Sequence, residues 1–216
     1  MSAVSTIRNL AAVAVLTASG TASAQFDGDY VVTPDEFVFC TVCHGVQLMG
    51  NREIDAPRLS SMKPWYIEQQ LQAFKKGWRG KHGDDLIGME MQPMAAALTD
   101  EQISAVAAYV SRTRSPVPES TIAGDADAGK RHYTTCAACH GVDAEGKEAL
   151  GAPALTGIND WYLVRQLENY RSGARGSDPA DIYGQQMRAS TQLLGDDEAI
   201  RDVVRYITTL STEEGL

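Results

Sequence analysis

Residues 40–45 read Cys40-Thr41-Val42-Cys43-His44-Gly45, and residues 136–141 read Cys136-Ala137-Ala138-Cys139-His140-Gly141. These two strings hold all four cysteines of the chain, so none is left over for another purpose. They lie 96 positions apart, and the agreement extends well beyond them. Pro57 matches Pro153, Trp65 matches Trp161, Gln70 matches Gln166 and Arg79 matches Arg175 at the same offset. So do Gly88 and Gly184, Met91 and Met187, and Leu98 and Leu194. So many identities at one spacing mark an internal repeat, which is settled before any single residue is interpreted.

The repeat accounts for the length. Residues 1–24 carry Arg8, an apolar run from Leu10 to Leu16, and the small-residue ending Ala22-Ser23-Ala24. That order is the pattern of an export signal, with cleavage expected between Ala24 and Gln25. The apolar run is too short to span a bilayer comfortably. Of the 216 residues, 192 then remain, which is twice 96. The expected organisation is a signal peptide at 1–24, a first domain at 25–115, a linker at 116–123 holding Pro116 and Pro118, and a second domain at 124–216. The mature protein is expected outside the cytoplasm. The formal charge of -9 argues against a nucleic-acid partner, which normally meets a basic patch. With 44% hydrophobic and 22% charged residues, the composition is that of a globular chain.

The periodicity is helical throughout, and no segment reads as a strand. Pro34–Val42 and Ala128–Ala138 read as short helices leading into the two strings. Pro64 suits a first helical position. Trp65, Ile67, Leu71 and Phe74 follow at helical spacing, matched by Trp161, Val164, Leu167 and Tyr170, with Asn159 or Asp160 as a cap. Thr99-Asp100-Glu101-Gln102 has the form of a capping box. Ile103, Val106, Ala107 and Val110 then line one face, as do Ile200, Val203, Val204 and Ile207 in the second half. Gly45–Ser60 and Gly77–Gly88 read as loops. Each half is small for a self-sufficient core, and a large apolar cofactor would supply the missing packing surface.

Two thiols at Cys-x-x-Cys spacing can add across the two vinyl groups of a haem, with the adjacent histidine aimed at the iron. In an exported chain the string reads as c-type haem attachment. Cys40, Cys43, Cys136 and Cys139 are then the covalent tethers of two haem c groups, and His44 and His140 are axial iron ligands. Such a string has three other uses. A thioredoxin-type dithiol belongs beside a βαβ pattern, a zinc site needs further ligands, and a disulfide is permitted in an oxidising compartment.

The repeat also selects the second axial ligand. Met91 and Met187 occupy matched positions, each three residues after a glycine and seven before a leucine. Met187 is the sole methionine of the second half. Met94 is the rival in the first half. Met49, Met62, Met89 and Met94 are otherwise expected as core filler. His82 and His132 have no repeated counterpart and are expected at the surface. His/Met ligation raises the haem potential relative to bis-His ligation. Pro57 and Pro153 are expected to shape the loop whose carbonyl accepts the proximal imidazole proton. Trp65 and Trp161 are expected to pack. Arg79 and Arg175 either meet haem propionates, cross between the domains, or lie solvated.

On Cys40-x-x-Cys43-His44-Gly45, Cys136-x-x-Cys139-His140-Gly141, Met91-x-x-x-Ala95-x-x-Leu98-x-Asp100 and Met187-x-x-x-Thr191-x-x-Leu194-x-Asp196, the sequence resembles the dihaem cytochrome c4 family over essentially the whole mature chain. Gly124-Asp125-Ala126-x-x-Gly129-Lys130 is also family-like, whereas the first half departs at Gly28-Asp29-Tyr30-Val31-Val32-Thr33-Pro34. The resemblance implies an all-α protein of two tandem class I cytochrome c domains related by a pseudo-twofold axis, with facing propionate edges and His/Met ligation. It further implies a periplasmic electron carrier between an upstream quinol-oxidising complex and a terminal oxidase or reductase, meeting the membrane only through partners. An alternative is the dihaem electron-transfer subunit of an oxidoreductase such as a flavin-dependent sulfide dehydrogenase. A third is a dihaem peroxidase, which needs a haem site able to open. No nucleophile triad or free cysteine offers a catalytic site.

Residues 25–120 hold nine basic and thirteen acidic side chains, a balance of -4, and residues 121–216 nine and fifteen, a balance of -6. Lys63, Lys75, Lys76, Arg79 and Lys81 crowd one region of the first half. The expectation is that the two domains meet different partners, the first a negative surface.

Overall fold

The computed structural model describes residues 33–60 and 62–211. The export signal, its cleavage site and the divergent stretch Gly28–Val32 lie outside these residues.

The first domain begins with a 3-10 turn, Asp35–Phe37, that runs into α1 (Val38–His44). After a second 3-10 turn at Arg52–Ile54 come α2 (Pro64–Lys75), α3 (Leu86–Ala96) and α4 (Asp100–Arg112). The second domain repeats the order with α5 (Ala126–His140), a 3-10 turn at Glu148–Leu150, α6 (Asp160–Ser172), α7 (Ile182–Thr191) and α8 (Asp197–Thr209). Among the described residues the only β pairing is two isolated bridges, Asn51 with Ala56 and Lys147 with Ala152, again 96 apart.

The terminal helices form as their sequences dictate. Thr99 Oγ1 accepts from the Gln102 amide at 3.2 Å, and the Gln102 side chain accepts from the Thr99 amide at 2.8 Å, closing the capping box. Ile103, Val106, Ala107 and Val110 are buried against Ile67, Leu71 and Phe74 of α2. In the second domain Ile200, Val203, Val204 and Ile207 are buried with Tyr133 and Leu163. Apolar stripes on facing helices remove each other from water, worth roughly 1.5–3 kcal/mol per fully buried large side chain.

Three expectations are corrected. The helices carrying the binding strings run past their expected ends, to His44 and His140, and the first starts as an α-helix at Val38 rather than at Pro34. Asn159 stands at the start of α6 without capping it, because its Oδ1 accepts from the Arg58 amide of the other domain at 2.6 Å. The third is that α3 starts at Leu86, inside the expected loop Gly77–Gly88; no apolar periodicity announces it or α7. Asp85 and Asp181 nucleate them by accepting from the Gly88 and Gly184 amides at 3.1 and 2.9 Å. Gly80 and Gly176, both at positive φ, press against the Gly88 and Gly184 carbonyls, where any Cβ would collide.

The domains differ most at their starts. α5 crosses α8 closely, because Gly129 leaves room for the Asp202 carbonyl. Thr33 stands at the matching place in the first domain. There the short α1 makes no comparable crossing with α4, and Phe37 stacks on Tyr109 at 5.8 Å instead.

Candidate functional site

Matched residues of the two domains line two cavities. In the second domain Cys136, Cys139, His140, Pro153, Leu155, Met187 and Leu194 surround a space of about 1110 Å³. In the first, Cys40, Cys43, His44, Pro57, Leu59, Met91 and Leu98 surround one of about 180 Å³. The second space is the larger because it extends across the domain junction, where Arg58, Ser60, Met62 and Trp78 of the first domain also line it. The fold thus gathers every sequence-predicted tether and ligand, four per domain, around a cavity. Met94 reaches the same cavity as Met91, so the rivalry between them is not resolved by location.

The two histidines are prepared for ligation. His44 and His140 are buried. Their Nδ1 atoms lie 2.7 Å from the Pro57 carbonyl and 2.8 Å from the Pro153 carbonyl. A carbonyl only accepts, so Nδ1 carries the proton and Nε2 keeps its lone pair. Burial lowers both imidazole pKa values, with the proline hydrogen bonds acting partly against it. The rings are therefore neutral donors with a fixed tautomer, the state a metal requires.

The competing uses of the strings fare poorly. A redox dithiol needs a lowered thiol pKa, whereas burial pushes Cys40 up to about 11 and raises Cys136. Among the described residues no group of three His, Cys, Asp or Glu side chains converges as zinc would need.

Between the cavities stands a wall built from the repeat. Gln70 Oε1 accepts from Arg79 Nη1 and from Arg175 Nη2, both at 2.8 Å. Gln166 Oε1 accepts from Arg175 Nη1 at 2.7 Å and from Arg79 Nη2 at 3.2 Å. Two arginines and two glutamines thus close a square in which each glutamine serves both domains. The guanidinium of Arg79 lies 4.2 Å over the Phe74 ring and that of Arg175 4.4 Å over Tyr170. Both Nε atoms are buried without a partner. Two buried cations with an idle donor each and only neutral acceptors call for an anionic group. The carboxylates of a haem satisfy that demand, and the residues present fit one in each cavity.

Each contact on the flanks of the wall uses at least one residue that the repeat does not match. Asp55 pairs with Arg165 at 2.7 Å, and Asn169 Nδ2 donates to Asp85 Oδ1 at 3.1 Å. Arg58, fully buried, donates to the Gly157 carbonyl at 2.8 Å, to Ser60 and to Ser115. Burial and the nearby Arg114 pull its pKa down to about 10, so it stays charged at neutral pH. Reading for repeated positions passed these residues over. The signal was available in the mismatches: Arg58 against Ala154, Asn169 against Ala73, Arg165 against Gln69.

Other expectations divide. Trp161 is buried and Trp65 half-buried, as expected of packing residues. His82 and His132 are exposed. Met62 packs on the core, but Met49, Met89 and Met94 are exposed, contrary to a filler role. They sit on α3 or beside α1, where no second layer of helix covers them.

Comparison with known proteins agrees with the geometry. The family described as Cytochrome c matches residues 36–114 and again 126–211. The thiosulfate dehydrogenase electron acceptor of Stutzerimonas stutzeri (strain A1501) is 33% identical over 222 residues, covering 95% of both chains. Cytochrome c4 of Thiocapsa roseopersicina is 30% identical over 183 residues, 80% of this chain and 87% of that one. The solved structure of Acidithiobacillus ferrooxidans cytochrome c4 superimposes with a TM-score of 0.65 at 27% identity, over 79% of this chain and 97% of that one. The chain therefore belongs to the cytochrome c family, as an all-α, two-domain electron-transfer protein of the dihaem cytochrome c4 kind carrying two covalently bound haem c groups.

Proposed function

We propose that this protein passes single electrons between redox partners in the periplasm through two His/Met-ligated haems, one per domain. One observation carries the relay: Tyr66, Gln70, Tyr162 and Gln166 line both cavities, so one layer of side chains separates the two cofactors. Cys40 and Cys43 tether the first haem and His44 with Met91 ligates it. Cys136, Cys139, His140 and Met187 serve the second. Arg79 and Arg175 hold the haem carboxylates from the wall. A bound haem supplies reversible one-electron chemistry at its iron. The chain's part would be to hold each iron with a histidine and a methionine, to fix each imidazole through a proline carbonyl and to exclude water with the helical cores. The domain limits proposed are 25–115 and 124–216 around a linker at 116–123, after an export signal at 1–24. Among the described residues no helix is long and apolar enough to cross a membrane.

The test is spectroscopic. The ferric protein should show a thioether-to-iron band near the red end of the visible spectrum, and should take up two electrons per chain in an anaerobic titration. Met91→Ala and Met187→Ala should each remove half of that band, while Met94→Ala leaves it intact. Loss of half the band in Met94→Ala would instead make Met94 the ligand.

A narrower reading concerns the donor. The relative matching this chain end to end accepts electrons from a thiosulfate dehydrogenase, so an oxidoreductase acting on an inorganic sulfur compound is the proposed donor class. Thiosulfate with such a dehydrogenase should reduce both haems. A faster reaction with a quinol-oxidising complex, or with a flavin-dependent sulfide dehydrogenase, would reassign the donor. Size exclusion from the native source separates a free carrier from a bound subunit.

A further inference from the structure

The carbonyl that accepts from His44 belongs to the Pro57–Arg58 peptide, and the amide of that same peptide is also engaged. It donates to Asn159 Oδ1 at 2.6 Å. The facing atom is the carbonyl oxygen of Asn159, because the side-chain nitrogen of an asparagine cannot accept. A line of hydrogen bonds thus crosses the domain junction. It runs from His44 Nδ1 to the Pro57 carbonyl at 2.7 Å, then from the Arg58 amide to a side chain of the second domain. Asn159 is 9% exposed and Arg58 1%, so little water competes for either bond.

The second domain has the first of these links without the second. His140 Nδ1 lies 2.8 Å from the Pro153 carbonyl. Among the described residues, however, the Ala154 amide meets no acceptor. Lys63 holds the place matched to Asn159. It is exposed, borders the junction space together with Ala154, and its ammonium group can only donate. The neighbouring glycines show the same difference. A Cβ added at Gly50 would stand 2.8 Å from Asn159 Oδ1, whereas at the matched Gly146 the three nearest atoms belong to the backbone of Ala152, Pro153 and Ala154.

We propose that Asn159 of the second domain tunes the reduction potential of the first haem, by making the Pro57 carbonyl a stronger acceptor for His44. It is a positioning residue that acts through the Pro57–Arg58 peptide. The inference rests on the relay reading, which makes His44 an iron ligand. Hydrogen bonds in series polarise one another, and the effect is greatest where the local dielectric is low. A peptide whose amide donates has a more negative carbonyl oxygen. That oxygen draws the Nδ1 proton of His44 more strongly and leaves Nε2 the more basic ligand. A more basic ligand favours ferric over ferrous iron, so Asn159 lowers the potential at which the first iron is reduced. The Pro153 carbonyl receives no such help. Matched histidines are thus tuned unequally by an unmatched residue, and the one that tunes the first lies on the other domain.

The test compares the full dihaem protein with N159L, in which the acceptor is replaced by an apolar side chain of similar size. The two haems are told apart by the axial methionine signal that Met187→Ala removes. In a spectroelectrochemical titration of N159L, the sharing of one electron between the haems should shift about threefold toward the first, which is about 30 mV for a one-electron couple. In the fully reduced protein the proton NMR signal of His44 Nδ1–H should move to higher field. The His140 signal and the second potential should keep the parent's values. N159D retains an acceptor and should hold the His44 signal at the parent's field or lower. T121V weakens the neighbouring clasp on Asp160 without touching the Pro57–Arg58 peptide, and should move neither potential. An unmoved His44 signal and first potential in N159L overturn the proposal. So does an equal shift at both haems, a move to higher field in N159D, or a T121V shift matching that of N159L. If the titration cannot place two electrons in the parent chain, the relay reading fails, whereas the proposal for Asn159 fails only on the variants.

Discussion

Pro57 and Pro153 illustrate how a repeated residue acquires a role. The sequence placed each near its histidine's string, and the fold brings their carbonyls within 2.8 Å of the imidazole Nδ1 atoms. Asp160 shows the opposite case, a residue with no repeated counterpart. It is buried at the start of α6, where its carboxylate accepts from Thr121, Ile122 and Trp161 and so clasps the linker to the second domain. Burial alone would raise its pKa, but these hydrogen bonds outweigh burial and hold it below the usual carboxylate range. Asp160 thus contributes stability that is present above the unfolded value, about 3.9, and lost as pH falls through the lower folded value. Asp160→Asn should cost about 1–3 kcal/mol at pH 7. In urea titrations the gap from the parent should shrink below about pH 4. A gap unchanged at low pH would assign the effect to packing rather than charge.

Helices α3 and α7 were the hardest elements to read, although they bear the proposed methionine ligands. α3 contains Gly88 and Pro93, both poor helix formers in an interior, and neither helix has a conventional apolar stripe, because each packs one side toward a cofactor cavity. Their stability is local and tertiary: an aspartate cap and a glycine-to-carbonyl contact. Gly80→Ala should therefore cost about 2–4 kcal/mol, adding a left-handed backbone penalty to a steric clash. It should also disturb the iron–thioether band of the first haem alone, because α3 must move. Gly176→Ala should do the same to the second. Gly129→Ala should destabilise the second domain by about 1–3 kcal/mol through the α5–α8 crossing and leave the first domain's spectrum unchanged. By contrast, α4 was legible from its capping box and apolar face and α8 from its apolar face, while the Asp196 carboxylate that caps α8 by accepting from the Ala199 amide at 2.8 Å was not anticipated.

Across the whole molecule, the symmetric centre and the asymmetric flanks of the domain wall play different parts. Gln70, Gln166, Arg79 and Arg175 tie the halves together with shared acceptors. Replacing both glutamines with alanine leaves two buried guanidiniums short of partners, and the domains should then unfold as two calorimetric transitions rather than one. Arg58→Ala removes a buried cation serving Gly157, Ser60 and Ser115 and should cost about 3 kcal/mol. Arg58→Lys should not restore it, because a point charge cannot span acceptors on both domains.

The linear chain already contained the repeat, the proposed haem tethers, the proposed histidine and methionine ligands and the helical class. Those follow from covalent spacing and local periodicity, which a string of residues records directly. Tertiary structure decided what Arg79 and Arg175 touch and which residues of the second half meet Arg58 and Asp85. Each of these depends on groups up to 105 positions apart meeting in space, and no local pattern encodes such a meeting.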